Sequence, residues 1–307
     1  MATAVSQFDV GGASPFDLRD ARAYSAWRDA KLTAAPTRAQ ADSLCVAIDD
    51  PFALTRAEKQ QLAAILARAN FAFYRLAGPC DEKAMVRALG RQLGLDRLDG
   101  NLCADEDNIS AIRVVETRAV GEYVPYTDKR LNWHTDGYYN ATDAQVRAIV
   151  LHCVAPAAEG GENGFLDHEI AYILLRDENP DFIAALMAGD AMTIPPNVHN
   201  GEVLRPAQSG PVFSVDTDGF LHMRYSARGR NIEWSPDPLV RAAAERLLDL
   251  FESDSPFIVR HRLAAGEGVI SNNALHSRSS FRDDPAAGRV RLLYRARYYD
   301  RIRIGLE

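Results

Sequence analysis

The stretch RLNWHTDGYYN, residues 130–140, sets a histidine two residues before an aspartate among one tryptophan and two tyrosines. If LNWHTD closes a strand, alternation sends His134 and Asp136 to the same face, where both can reach one ion. A histidine–aspartate pair at this spacing also arises by chance, so its meaning depends on the fold around it. From residue 110 onward the chain is built of short apolar runs rich in β-branched residues: ISAIRVVE, AIVLHCVA, PVFSV, FIVRHRL, GVISN and VRLLYRARYY. Gly, Pro and Asp clusters separate them, a spacing that suggests a sandwich or barrel rather than a βαβ array.

Helical patterns surround these strands. LTRAEKQQLAAILARAN reads as an amphipathic helix with Thr55 as its N-cap, and DEKAMVRALGRQLG as a second, closed by Gly94. FAFYRLAG, between them, reads as a strand. HEIAYILLRDENPDFIAALMAG, broken at Pro180, and DPLVRAAAERLLDLFES interrupt the later strands. The expected fold is mainly β with helical insertions, a double-stranded β-helix (jelly roll) with a helical N-terminal layer. Residues 1–50 read as a partly helical N-terminal extension containing DLRDARAYSAWRDAKL, and 51–307 as the β-domain.

Bulk properties narrow the function. The chain has 307 residues, 47% hydrophobic and 25% charged, an ordinary globular composition. A net charge of −7 opposes general nucleic-acid binding, which needs a basic excess. No apolar run approaches a membrane span, and MATAVSQFDVGG lacks the pattern of a secretory signal. Cys45, Cys80, Cys103 and Cys153 are widely spaced, with no C-x-x-C pair, so neither a zinc ribbon nor a dense disulfide framework is indicated. The expectation is a reduced, cytoplasmic protein with a small-molecule substrate, no nucleic acid and no membrane; a homo-oligomer is compatible with all of this.

A third donor for the His134–Asp136 pair is His276, in GEGVISNNALHSRSSF, where an apolar strand runs into the histidine. Two imidazoles and one carboxylate on one side of an ion leave the opposite positions open for a co-substrate and O2. His152 lies inside an apolar strand and reads as a core or supporting histidine. His168, His199, His222 and His261 read as loop or hydrogen-bonding residues. Downstream, GRVRLLYRARYYDRIRI carries Arg289, Arg291, Arg295, Arg297, Arg301 and Arg303. Arg291, Arg295, Arg297, Arg301 and Arg303 would share one face by strict alternation, but five guanidiniums cannot all be buried, so a bulge or strand end must intervene. An arginine aimed into a barrel suits a dicarboxylate, because its planar fork binds a carboxylate bidentately. Arg291 is preferred for that role; Arg301 and Arg303 read as a solvated basic edge strand.

Taken in order, these motifs resemble the Fe(II)/2-oxoglutarate-dependent dioxygenases of the taurine dioxygenase-like (TauD/TfdA) superfamily. WHTD is similar to its first-ligand motif, LHCVAPAAEGGENGFLDHEIAYILLRDENPDFIAAL to its following strand, turn and helix, and RLLYR to its pair of arginines four apart. NNALHSRSSF and YTDKRLNWHTD look more like the gamma-butyrobetaine hydroxylase branch. The resemblance implies Fe(II) held by His134, Asp136 and His276, with O2 and 2-oxoglutarate as co-substrates. It also implies Arg291 on the distal carboxylate of 2-oxoglutarate, with Arg289 as the fallback, although the threonine that taurine dioxygenase uses there has no counterpart in LHCVAP. The implied reaction is hydroxylation coupled to decarboxylation of 2-oxoglutarate to succinate and CO2. Asp136 favours hydroxylation over halogenation, because it fills the position that related halogenases leave free for chloride.

The same resemblance frames two substrate readings. Tyr126 matches an aromatic of the gamma-butyrobetaine cage, with Trp133, Tyr138 and Tyr139 nearby, which suits a quaternary ammonium. Arg297, however, stands where that cage has its C-terminal aromatic, and Arg295 stands where taurine dioxygenase holds its sulfonate, with Arg278 a further candidate contact. The preferred substrate is therefore small and anionic or zwitterionic. A non-catalytic jelly-roll binding protein and a zinc-dependent hydrolase are the alternatives from other classes.

Overall fold

The computed structural model describes residues 14–100, 105, 107–115, 124–199, 201–229 and 232–305. The N-terminal stretch read for a secretory signal and Cys103 lie outside these residues. Two principal sheets organise the chain. The larger contains β1 (Cys45–Ile48), β2 (Phe71–Leu76), β3 (Ile109–Ile112), β5 (Ala148–Ala155), β8 (Glu267–Ser271) and β10 (Leu292–Tyr298). The smaller contains β4 (Leu131–His134), β6 (Asn163–Leu166), β7 (Val259–His261) and β9 (Leu275–Arg278). Their strand orders are β1-β2-β8-β5-β10-β3 and β7-β6-β9-β4. All of these pairings are antiparallel except β1 with β2.

Aromatic packing joins the sheets. Phe165 of β6 stacks on Phe71 of β2 with ring centroids 5.2 Å apart and meets Phe73 edge-on at 5.3 Å. All three are buried in one core with Val269, Ile270 and Leu293. This wedge adjoins β9, because Phe165 is the register partner of His276 on that strand.

The helices begin and end where local chemistry allows. Helix α2 (Arg56–Ala69) opens on a reciprocal capping box between Thr55 and Glu58. It stops at Asn70, which adopts the left-handed conformation at φ 58°. Helix α3 (Lys83–Gln92) is followed by Gly94 at φ +77°. Helices α2 and α3 contact the larger sheet. The 168–189 helical pattern divides into α4 (His168–Glu178) and α5 (Pro180–Leu186), with Asn179 capping α5 and Pro180 at its first turn. Together with α1 (Ala21–Ala34) and α6 (Pro238–Glu252), these build a second hydrophobic core around Tyr172, Phe213 and Leu247.

Residues 14–50, set apart in the sequence, are tied into the body at several places, among them a strand pairing and a buried charge cluster. Strand β1 pairs along β2. From α1, the buried Lys31 ammonium lies 2.7 Å from Asp167 and 2.5 Å from Glu169 at the start of α4.

Several strands are shorter than their sequence patterns, and β10 corrects two expectations. It is not an edge strand, since β5 and β3 flank it, and it ends at Tyr298. Arg301 and Arg303 therefore lie beyond the sheet: Arg301 lies over the Phe220 ring at 4.2 Å, and exposed Arg303 pairs with Asp218. The irregularity that the arginine spacing required falls between Leu292 and Leu293.

Phe165→Ala should remove the wedge between the sheets and destabilise the protein by about 3–5 kcal/mol, measured by urea denaturation at neutral pH. A loss below 1 kcal/mol would mean that the sheets do not depend on this contact.

Candidate metal centre

The site is set by the pairing of β4 with β9, which makes His134 and His276 direct register partners. Their ring centroids are 4.2 Å apart. One ligand atom each from His134, Asp136 and His276 lies within 4.8 Å of the others, and this is the one such grouping found among the described residues. Both imidazoles are oriented from behind: His134 Nδ1–H donates to the Asn132 carbonyl at 2.9 Å and His276 Nδ1–H to that of Ala274 at 3.0 Å. With Nδ1 protonated, each Nε2 keeps its lone pair for a metal. The Oδ2 atom of Asp136 is buried without a hydrogen-bond partner. These donors fit an iron(II) ion, with two neutral nitrogens and one carboxylate.

The protonation states follow from burial and neighbours. Burial, reinforced by the facing His276, pushes the pKa of His134 down to about 3. Burial also lowers His276. For Asp136 burial acts in the opposite direction, but Arg295, His276 and Arg297 outweigh it and hold the carboxyl well below its usual range. All three groups are therefore in their metal-binding forms at neutral pH.

The segment after His134 is held from several directions. The amide of Asp136 donates to Asn273 Oδ1 at 2.8 Å, and Asn273 Nδ2 donates to the Asp136 carbonyl at 2.9 Å and to the Val146 carbonyl at 2.6 Å. Gly137 follows at φ +68°, where an added Cβ would collide with Val146. Arg224 donates to the carbonyls of Tyr138, Met192 and Gln208 at 2.7–3.0 Å. On the other flank, Arg278 reaches the carbonyls of Pro125, Thr127 and Lys129, fixing the turn that carries buried Tyr126. Nothing in the sequence announces Asn273 or Arg224, because their partners come from distant segments.

The arginines separate into distinct environments. Arg291 is buried, lies over the Phe281 ring at 4.9 Å and leaves Nη1 without a partner. Beside it is a small cavity of about 10 Å³, lined in part by Gly161, Asn163 and Arg262. Arg289 is exposed and pairs with Asp284, so it does not approach this cavity's lining. Arg295 donates to Asp136 Oδ1 at 3.0 Å and its Nε is unpartnered. Arg297 pairs with buried Asp99 and donates to the Tyr139 hydroxyl at 2.7 Å. Trp133 stacks on Phe251 at 5.5 Å in the second core, behind the ligands. Tyr138 and Tyr139 meet edge to face at 5.2 Å. His152 bonds Tyr74 and the Cys80 carbonyl, His168 bonds the Leu221 carbonyl, and His261 pairs with Glu267.

Two histidines and one carboxylate are the donor set that non-haem iron oxygenases use. The chain belongs to the Taurine catabolism dioxygenase TauD, TfdA family, whose sequence pattern matches residues 29–297. It is 33% identical over 204 residues to a uridine-5'-phosphate dioxygenase from Streptomyces sp, covering 62% of this chain and 69% of that protein. Asparagine oxygenase, solved with Fe(II), 2S,3S-3-hydroxyasparagine and succinate, shares the fold with a TM-score of 0.58 at 17% identity, covering 94% of this chain and 86% of that one. The non-haem iron oxygenase OrfP, solved with Fe and alpha-ketoglutaric acid, gives 0.59 at 16% identity over 89% and 90%. The protein is an iron- and 2-oxoglutarate-dependent dioxygenase.

Acid should destabilise the metal-free protein through its buried histidines. His134, His168 and His276 all have folded pKa values below the ordinary 6.5, so the unfolded chain takes up more protons as pH falls. Their contribution is complete above about pH 6.5 and declines below it, by about 1.4 kcal/mol per pH unit for each histidine still neutral. Denaturant midpoints at pH 7.5, 6.5 and 5.5 measure this, and equal midpoints at the two lower values would contradict it.

Proposed function

We propose that the protein hydroxylates a small anionic metabolite, with a nucleoside 5'-monophosphate as the first candidate, and releases succinate and CO2. In this reading the two sheets form a double-stranded β-helix, and His134, Asp136 and His276 hold the iron. When bound, the iron supplies the activation of oxygen. The unpaired guanidinium of Arg291 takes the distal carboxylate of 2-oxoglutarate. Its partnerless Nη1 and the adjoining cavity support that role.

The observation that carries the substrate class is an excess of buried positive charge. Arg224, Arg278, Arg291, Arg295 and Arg297 are all buried, and Arg295 and Arg297 act directly on the Asp136 carboxylate. Among the described residues, two of them have a buried carboxylate partner, Arg295 with Asp136 and Arg297 with Asp99. Five arginines less two carboxylates leave an excess of three. Desolvation lowers the other three, Arg224 to about 10, Arg278 to about 9 and Arg291 to about 10, yet all remain charged at neutral pH. Buried charge without a counter-ion is costly, so the centre is prepared for anions beyond 2-oxoglutarate itself. The uridine-5'-phosphate dioxygenase relative supports a phosphate-bearing substrate.

A quaternary ammonium substrate fits this field poorly. The guanidiniums of Arg205 and Arg297 already lie 5.8 and 5.6 Å from the centre of the Tyr139 ring. They bring positive charge to the aromatic surface that a cation cage would use.

Succinate release under Fe(II), ascorbate and O2 tests the proposal. Nucleoside monophosphates, sulfonates and carboxylates should stimulate it, and trimethylammonium compounds should not; stimulation by the cations alone would overturn the substrate class. His134→Ala and His276→Ala should abolish 2-oxoglutarate turnover, and turnover retained in either variant would show that the ligands are misassigned. Arg291→Ala should raise the KM for 2-oxoglutarate by on the order of a hundredfold, the scale of losing a buried charged pair. An unchanged KM would move the anchor elsewhere.

A further inference from the structure

We infer that Asn273 is a positioning residue for the carboxylate ligand, fixing Asp136 through its peptide groups rather than its side chain. The inference rests on the reading of His134, Asp136 and His276 as the iron ligands. The Asn273 carboxamide accepts from the Asp136 amide at 2.8 Å and donates to the Asp136 carbonyl at 2.9 Å, gripping one residue on both sides. Its second N–H goes to the Val146 carbonyl at 2.6 Å, just before β5. One buried amide thus uses its acceptor and both donors to join the end of β4, the approach to β5 and the β8–β9 turn.

The turn itself is built to present this amide. Asn273 adopts φ 55°, a left-handed conformation that asparagine tolerates better than most residues. Ser271 Oγ accepts from the Ala274 amide at 2.9 Å and donates to the Asn70 carbonyl at 3.2 Å, which also accepts the Asn272 amide. The neighbouring Asn272 points elsewhere: its side chain donates to Asn70 Oδ1 and accepts from the Ile302 amide.

This clamp is needed because Asp136 lies past the end of β4 and has no ladder hydrogen bonds to hold it. His134 is held by its strand, but two residues later the carboxylate would swing with the Gly137 turn. Arg295 binds only Oδ1, and that bond does not fix the backbone. Fixing the Asp136 peptide sets where its carboxylate stands against the two imidazoles, with Oδ1 3.9 Å from His134 Nε2. Removal of such a supporting contact typically lowers metal affinity by 10–100-fold.

Mn(II) binding to the metal-free protein, followed by electron paramagnetic resonance, tests the assignment without relying on turnover. Asn273→Gly keeps the left-handed turn but removes the amide; it should weaken Mn(II) binding at least tenfold and alter the bound Mn(II) line shape. Asn272→Ala, a change of equal burial in the same turn, should lower thermal stability while leaving Mn(II) affinity within about twofold. Wild-type affinity in Asn273→Gly, or an equal loss in Asn272→Ala, would overturn the inference. If the glycine variant fails to fold, Asn273→Asp replaces it: this side chain keeps the acceptor but opposes two carbonyls, and wild-type Mn(II) affinity in it would likewise overturn the clamp. Failure of the wild-type protein to bind Mn(II) would instead overturn the ligand reading on which the inference rests.

Discussion

Cross-strand pairing of His134 with His276 is the constraint around which the site is arranged. Residues directly opposite on antiparallel strands bring their side chains within about 5 Å of one another, close enough for two imidazoles to share an ion. The pairing holds only while β9 is anchored on its other edge, by β6, and β6 is pressed against β2 through Phe165, Phe71 and Phe73. The aromatic core thus does more than stabilise: it fixes the register on which the ligand spacing depends. A slip of one residue in this pairing would turn one imidazole to the far face of the sheet.

Around this pair the protein concentrates positive charge and satisfies it unusually. Arg224 and Arg278 are buried on backbone carbonyls rather than carboxylates. Carbonyl oxygens take every described N–H bond of these two side chains, with Arg278 Nε left unpartnered, and leave the net charge uncancelled. The two arginines therefore hold the loops on either flank and contribute a standing positive field. Acidic partners would have held those loops equally well while removing the field that favours an anionic ligand.

Much of this was readable from local rules. The His134–Asp136 spacing, the approach of an apolar strand to His276, the Thr55 cap and the break at Pro180 all depend on residues within a few positions of each other. Segments β5 and α2 matched their patterns closely for the same reason. What could not be read depends on distant pairing. The last arginines were expected along an edge strand because alternation does not say where a strand stops or who flanks it; β10 ends at Tyr298 between two neighbours. Trp133 could not be assigned to pocket or core until Phe251, more than a hundred residues later, was found stacked on it. Asn273 was invisible because nothing in an Asn-Asn pair says which amide will meet which carbonyl.

The buried ion pairs of Lys31 also bear on how the chain is assembled during synthesis. Its ammonium is met by Asp167 and Glu169, which emerge from the ribosome 136 and 138 residues later (167 − 31 and 169 − 31). Until then the lysine has no partner worth leaving water for, so α1 has no electrostatic reason to dock early. When α1 is seated, its one positive charge is shared between two carboxylates at the start of α4 and offsets part of their mutual repulsion. The docking of α1 and the placement of the start of α4 are thus coupled through one buried charge cluster.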